Sequence, residues 1–388
     1  VSAAVADGAV GTDSGHVGFR FADETTMGVG GGAERVLDIT SPAEALDALA
    51  EVDGPQDEHV VLGGGSNLVV ADEGYDGVVL RVRNIGHQQV DNGDGTVDVH
   101  IAAGEIWDEA VARTVAAGLG GIESLSGIPG RAGASVVQNI GAYGHEVGEA
   151  LVSIELADAD TGTLRTVPAA ALGLGYRTSA LKREELEGVV IGITVRLHRD
   201  GRSAPVAYAQ LADALGVPVG TRAPVDRVRE AVLALRRAKG MVYDPADPDT
   251  HGCGSFFTNP IVHASFAADL PREAPRWPVA AGPEPVPTAI PLERYRGDEL
   301  QPDGTRRPPR MVKLSAAWLI EHAGVRRGLA LPGSHAAISS RHTLAITNRG
   351  GATARQVIEL ATFVQTRVAG EFGIALQPEP LLLGFVEN

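Results

Sequence analysis

Hydrophobic positions along this chain follow the strand period of two or the helix period near four, except in one long glycine-rich stretch. Residues 35–39 read as a short strand. Ser41-Pro42-Ala43-Glu44 reads as a helix start, with serine at the N-cap, proline at N1 and glutamate at N3, and the helix runs to about Val52. Residues 59–62 and 68–70 are apolar runs on either side of Gly63-Gly64-Gly65-Ser66-Asn67, which gives strand, glycine turn, strand. Residues 78–82 form another strand, and from 84 to 103 the chain alternates with Val97, Val99 and Ile101 on one face. Residues 105–117 read as a helix closed by Gly118. Residues 151–157 and 164–167 flank the turn Asp160-Thr161-Gly162 as a β-hairpin, and 189–197 is a strand buried on one or both faces.

Further on, 224–239 is an amphipathic helix. Val225, Val228, Val232 and Leu235 lie on one side and Arg227, Arg229, Arg236, Arg237 and Lys239 on the other. Its basic last turn suits the negative end of the helix dipole. Residues 315–321 form a short helix with Trp318 and Leu319 inward, and 336–348 two short strands with Arg341-His342 between them. Residues 353–372 form a long helix with Thr353 and Gln356 as its capping box and Gly373 as its end. Strands and helices mixed without regular βαβ alternation predict an α+β fold.

Length and charge narrow this picture. The 388 residues imply two or three domains. A formal net charge of −16 argues against nucleic acid or an anionic membrane as partner. An anionic ligand therefore needs a local basic cluster working against the global field. The single cysteine, Cys253, excludes an intrachain disulfide and a cysteine metal cage, and no metal site is expected. No apolar run is long enough to cross a bilayer, and the start of the chain lacks the basic and apolar regions of a signal peptide. A soluble cytoplasmic protein is expected. Residues 1–17 read as a flexible leader and the Pro-rich 264–310 as a loosely ordered excursion.

The exception to the periodic pattern is SGIPGRAGASVVQNIGAYGHEV at 126–147. It holds five glycines, little charge, and the amides of Gln138 and Asn139 at its centre. Such a stretch reads as a surface loop, or as a wall whose main-chain N–H groups meet a planar cofactor with phosphates. In the second reading its glycines answer to close approach of backbone to a flat ring. Gly63 to Asn67 does not fit a Rossmann fingerprint, because β-branched residues rather than a helix follow. It reads either as a tight hairpin turn or as a phosphate-cradling loop.

Five motifs together resemble the UDP-N-acetylenolpyruvoylglucosamine reductase family: LGGGSNLVVAD at 62–72, SLSGIPGRAGASVVQNIGAYGHEV at 124–147, GYRTSALK at 175–182, GSFFTNP at 254–260 and QPEP at 377–380. They occur in the family's order from about residue 20 to the end. The resemblance implies a two-part FAD-binding unit of the vanillyl-alcohol-oxidase type, covering 18–83 with 374–388 and 84–220. A substrate-binding domain over 221–373 follows, with the excursion inserted in it. It implies noncovalent FAD, reduced by NADPH, whose hydride passes to UDP-N-acetylglucosamine enolpyruvate to give UDP-N-acetylmuramate. The two substrates use the same side of the flavin in turn. No histidine or cysteine that could tether a flavin occurs in 62–72 or 124–144.

Residue by residue, the family pattern gives Arg177 to the substrate carboxylate, Glu379 to the same carboxylate as a protonated or proton-sharing group, and Ser255 to protonation of the α-carbon. Asn259 and Lys239 are candidates to orient Ser255. Gly63, Gly64, Gly65, Ser66, Asn67 and Leu68 are assigned to the flavin diphosphate side. Ser126, Gly127, Ile128, Gly130, Gly133, Ala134, Gln138, Asn139 and Gly141 are assigned to the ring and ribityl side, and Ile193 to the adenine side. Tyr176, Tyr208, Lys239 and Asn259 are the substrate residues, Tyr208 as the moving lid of the family's longer type; His342 and Lys313 are further candidates, for which a surface role reads equally well. Arg131 stands where the family usually has a small residue, facing a phosphate or solvent. A monomer is expected. The rival readings are an FAD-dependent oxidase of the same fold that uses oxygen, and a flavin or UDP-sugar binding protein without turnover.

Overall fold

The structure is a computed structural model describing residues 18–52, 54, 58–279 and 310–385. The expected leader and most of the expected excursion, 280–309, lie outside the described residues. The N-terminal part runs α1 (Phe21–Glu24), β1 (Ala33–Ile39), α2 (Pro42–Glu51), β2 (His59–Leu62), β3 (Leu68–Val70) and β4 (Tyr75–Val82). Ser41 caps α2 by accepting the Glu44 N–H, as its sequence requires. β1, β4 and β2 form a parallel three-stranded sheet in that order. β3 does not pair with β2, so Gly63 to Asn67 is not a hairpin turn. It is a crossing between two sheets.

The middle part contains β5 (His87–Asp91), β6 (Thr96–Ala102), α3 (Trp107–Ala116), α4 (Ala132–Val137), β7 (Gly141–Ala142), β8 (His145–Glu146), β9 (Leu151–Asp158), β10 (Thr163–Pro168) and β11 (Gly188–His198). β10-β9-β11-β6-β5 is an antiparallel sheet. Its inward residues Val97, Val99, Ile101, Ile154, Leu156, Ile193 and Val195 meet Trp107 and Val111 of α3 in the largest core. Each such side chain contributes about 1.5–3 kcal/mol by leaving water. Residues 126–147 are therefore not loop throughout, since α4 and the β7–β8 hairpin lie inside them.

The remainder runs α5 (Ala209–Leu215), α6 (Val225–Ala238), β12 (Ile261–His263), α7 (Ala264–Ala268), β13 (Arg276–Pro278), β14 (Met311–Leu314), α8 (Ala316–His322), β15 (Ala336–Ile338), β16 (Ile346–Asn348), α9 (Ala354–Phe372) and β17 (Leu381–Leu383). β13 pairs with β14, which also carries β12. The first part of the expected excursion, 264–279, thus contains a helix, α7, and a sheet strand, β13. A second core joins α8 and α9 to Phe256 and Phe257. Leu319 is buried as expected, but Trp318 is only partly covered and stacks on His322 at 3.8 Å. β17 runs parallel to β3, and the Leu381 N–H donates to the Asn67 carbonyl at 3.0 Å. That pairing sets Glu379, two residues before β17, against the Gly63 to Asn67 crossing.

Candidate active site

The crossing between β2 and β3 lies against the segment before α4. Ser66 Oγ donates to the Pro129 carbonyl at 3.1 Å. A Cβ on Gly64 would stand 2.7 Å from the Gly130 Cα, and one on Gly133 would stand 2.6 Å from the Ala103 Cβ. At Gly64 and Gly133 protein packed on protein already requires glycine. Meanwhile the N–H groups of Gly63, Gly64, Gly65, Ser66 and Asn67 donate to no acceptor among the described residues. Five successive free amides on a glycine turn form a nest suited to an anion such as a dinucleotide diphosphate. The residues present fit FAD.

The other flavin candidates follow from this contact. Asn67 Nδ2 donates to Gln138 Oε1 at 3.0 Å and to the Glu379 carbonyl at 3.2 Å, so one side chain ties the crossing, the end of α4 and the C-terminal segment together. Asn139, at φ +48°, donates to Glu146 at 2.6 Å and to the Gly175 carbonyl at 3.0 Å. Gly141 offers its carbonyl to Arg177 at 3.1 Å. Ile128 and Ala134 lie in the same wall. Leu68 is buried at the start of β3, and its carbonyl accepts the Cys253 thiol at 3.3 Å. Burial pushes that thiol up to about 12, so Cys253 is a packed small residue and no nucleophile. Two candidates sit deeper than expected. Ser126 has no exposed surface and turns its hydroxyl to the Glu123 carbonyl, and Ile193 is enclosed in the sheet core between Ile101 and Ile154.

Two of the reactive candidates, Arg177 and Glu379, meet beside this wall. Arg177 Nε lies 3.1 Å from Glu379 Oε1, an ion pair whose geometry is not an aligned hydrogen bond. Arg177 holds φ +56°, an uncommon conformation for a residue with a side chain, and such strain clusters at functional sites. Burial pushes the Glu379 carboxyl above the usual range, against the lowering pull of Arg177 and Lys182. Burial likewise raises Glu146, which Arg177 and Asn139 pull down. Lys182 donates to the Arg177 carbonyl at 3.2 Å. Ser255 is half-buried one residue from Phe256, whose carbonyl accepts the Glu379 N–H at 2.9 Å. The expected orienters are engaged elsewhere: Asn259 Oδ1 accepts the Ala316 N–H at 3.0 Å and Lys239 donates to Gln210 at 2.9 Å.

The substrate candidates flank this centre. Lys313 Nζ lies 4.6 Å from the centre of the Tyr176 ring, and Asn259 hydrogen bonding opposes the upward push of burial on the Tyr176 hydroxyl. Tyr208, 47% exposed, meets Tyr143 edge-on at 6.0 Å, and Lys239 lies 5.8 Å from the Tyr143 ring. His342 is held down to about 4 by burial and then by Lys239 and Arg327. Its Nδ1 accepts the Leu344 N–H at 3.0 Å, so it is a neutral ring with its proton on Nε2.

Sequence reasoning missed Glu146 and the placement of Arg236. The latter was assigned to the polar face of its helix, yet it is buried, pushed down to about 10 by that burial, and its guanidinium donates to the Met241 carbonyl at 2.8 Å. A Cβ on Gly127 would stand 3.4 Å from its Nε. The signal was its four-residue offset from Val232, which puts both on one face. Arg177, Lys182, Arg236, Lys239 and Lys313 supply the local basic cluster that the net charge of −16 called for.

Comparison with known proteins agrees with this geometry. A family model described as "UDP-N-acetylenolpyruvoylglucosamine reductase, C-terminal domain" matches residues 246–383, and one described as "FAD binding domain" matches 33–167. The chain is 52% identical to the UDP-N-acetylenolpyruvoylglucosamine reductase of Leifsonia xyli subsp. xyli, over 93% of this chain and 97% of the relative. It is 48% identical to that of Saccharopolyspora erythraea, over 97% and 98%. A crystal structure of the enzyme from Thermus caldophilus superposes with a TM-score of 0.57 at 25% identity, covering 94% of this chain and 97% of that one. With that likeness running through both the Gly63 to Asn67 crossing and the Arg177–Glu379 pair, the chain belongs to the UDP-N-acetylenolpyruvoylglucosamine reductase family.

Proposed function

We propose a division of labour among the cleft residues for the family reaction. The chain is an FAD-containing, NADPH-dependent oxidoreductase that reduces UDP-N-acetylglucosamine enolpyruvate to UDP-N-acetylmuramate in peptidoglycan synthesis. The amides of Gly63 to Asn67 would hold FAD, which would supply hydride, drawn from NADPH, for the terminal carbon of the enolpyruvyl double bond. Negative charge then develops on the carbon beside the carboxylate, and the chain must stabilise it and supply a proton. Arg177 presents a guanidinium fork to the carboxylate. Glu379, with its carboxyl pushed upward, shares a proton with that carboxylate instead of repelling it. Ser255 gives its hydroxyl proton to the α-carbon.

Tyr176, Asn259 and Lys239 hold the sugar diphosphate, and Tyr208 closes over it from the start of α5. The observation that carries this reading is the Arg177–Glu379 pair, which the β3–β17 pairing delivers to the foot of the amide nest. The domain reading of 18–83 with 374–388, 84–220 and 221–373 accompanies it; one large core runs from Ile39 to Leu197 across the first boundary, and another gathers Phe256, α8 and α9 with Met27 and Val69. A cytoplasmic monomer is the accompanying reading; among the described residues no helix is long and apolar enough to cross a membrane. The test is anaerobic. NADPH should bleach the yellow protein, and UDP-N-acetylglucosamine enolpyruvate should restore the colour. Restoration by oxygen alone would favour the oxidase.

A further inference from the structure

Three arginines crowd the edge of the amide nest, and their charges are not balanced. Arg81 is chelated by Asp38 and shares Glu24 with Arg83, at 2.6 Å from each carboxylate oxygen. Both oxygens of Glu24 are thereby occupied. Arg131 has no carboxylate partner among the described residues: one guanidinium nitrogen donates to the Gly104 carbonyl, and its Nε is buried with no acceptor. Burial pushes Arg131 down and Arg81 adds to the effect, while Glu24, Glu105 and Glu109 oppose it from beyond ion-pair distance. Arg83 is pushed down by burial and then by Arg131 itself. Two guanidiniums in the same neighbourhood are thus held at a cost that a nearby anion would relieve.

Arg83 touches the nest directly, donating to the Gly63 carbonyl at 2.9 Å. Arg131 lies beside it in the chain packed on the crossing: a Cβ on Gly63 would stand 3.9 Å from the Cβ of Arg131, and one on Gly64 would stand 3.3 Å from its backbone nitrogen. Arg131 springs from the residue just before α4, whose first turn packs on the crossing. Free amides suit phosphate oxygens, and an uncompensated guanidinium fork suits them more strongly.

We propose that Arg131, supported by Arg83, is a cationic clamp on the diphosphate of the bound flavin dinucleotide, facing the amide nest of Gly63 to Asn67. The proposal rests on the reading of this nest as the FAD diphosphate site. It assigns to one side chain a share of cofactor affinity that the amides alone do not supply.

The test is FAD affinity of the apoprotein, read by quenching of flavin fluorescence at several ionic strengths. Arg131→Met keeps the apolar stem and removes the charge. It should weaken FAD binding by about tenfold or more, since a hydrogen bond to a charged group is worth that much, and should flatten the salt dependence. Arg131→Lys should regain part of the loss. A Met variant within twofold of the parent, or equal losses in Met and Lys variants, overturns the clamp. Should the Met variant not fold, inorganic pyrophosphate is titrated against FAD on the parent apoprotein: competition at millimolar concentration supports the clamp, and none overturns it. Parent protein that binds no FAD at all would instead refute the flavin reading itself.

Discussion

Glu379 and His342 are pushed in opposite senses, and their effects on stability have opposite signs. The Glu379 carboxyl is raised, so its contribution is fully present below the unfolded value, near 4.3, and is lost as pH rises through the folded one. His342 is depressed to about 4, so its contribution is present above the ordinary value near 6.5 and is lost as pH falls toward 4. Thermal melts should show Glu379→Gln gaining on the parent as pH rises from 4 to 8. His342→Gln should gain on the parent as pH falls from 7 to 4. Parallel melting curves for parent and variant would remove the burial argument at that residue. Single side chains like these were only partly legible in the sequence. GYRTS and QPEP marked Arg177 and Glu379 as a pair through family likeness, but nothing local in either motif says that both are half-buried. Arg236 was misplaced because a basic last helical turn is ordinarily solvated, and only tertiary packing against Gly127 and Tyr143 shows otherwise.

Elements with strong end signals read directly. The capping box of Thr353 and Gln356 and the left-handed Gly373 bound α9 as their sequence requires. Thr353→Ala should cost about 1 kcal/mol, seen as a drop of about 2 °C in the melt. α4 was not legible, because Gly133, Ser135, Val136 and Val137 are weak helix formers. Its formation depends on the Ala132 and Gly133 N–H groups bonding to the carbonyls of Glu105 and Ala103, both at 2.9 Å. The crossing at Gly63 to Asn67 was ambiguous for a related reason: the partner of β3 is β17, more than three hundred residues away in the chain. Gly64→Ala forces a Cβ onto the Gly130 backbone at 2.7 Å, which neither loop can relieve by moving a side chain. Such overpacking costs about 1–3 kcal/mol. The variant should be purified pale, with flavin content well below that of the parent by absorbance. Full flavin occupancy would show that the two loops part more readily than their packing implies.

At the scale of the whole molecule, the last described strand returns to β3, in a sheet apart from β1-β4-β2. β17 completes the two-stranded sheet with β3, and the Ala71 N–H donates to the Leu383 carbonyl at 2.9 Å. Removing residues 381–388 deletes that strand while leaving Glu379 in the chain. The shortened protein should lose most of its flavin and its Arg177–Glu379 alignment, giving a turnover loss of at least a hundredfold. Near-normal turnover would show that the Phe256–Glu379 hydrogen bond alone positions the carboxyl. The central claim is that one cleft joins the flavin nest to a proton-supplying centre that serves only the second half of the reaction. Rapid mixing of Ser255→Ala, first with NADPH and then with UDP-N-acetylglucosamine enolpyruvate, tests it most directly. The account predicts flavin bleaching by NADPH at close to the parent rate, and return of the colour slowed by orders of magnitude. Equal slowing of both steps would contradict it.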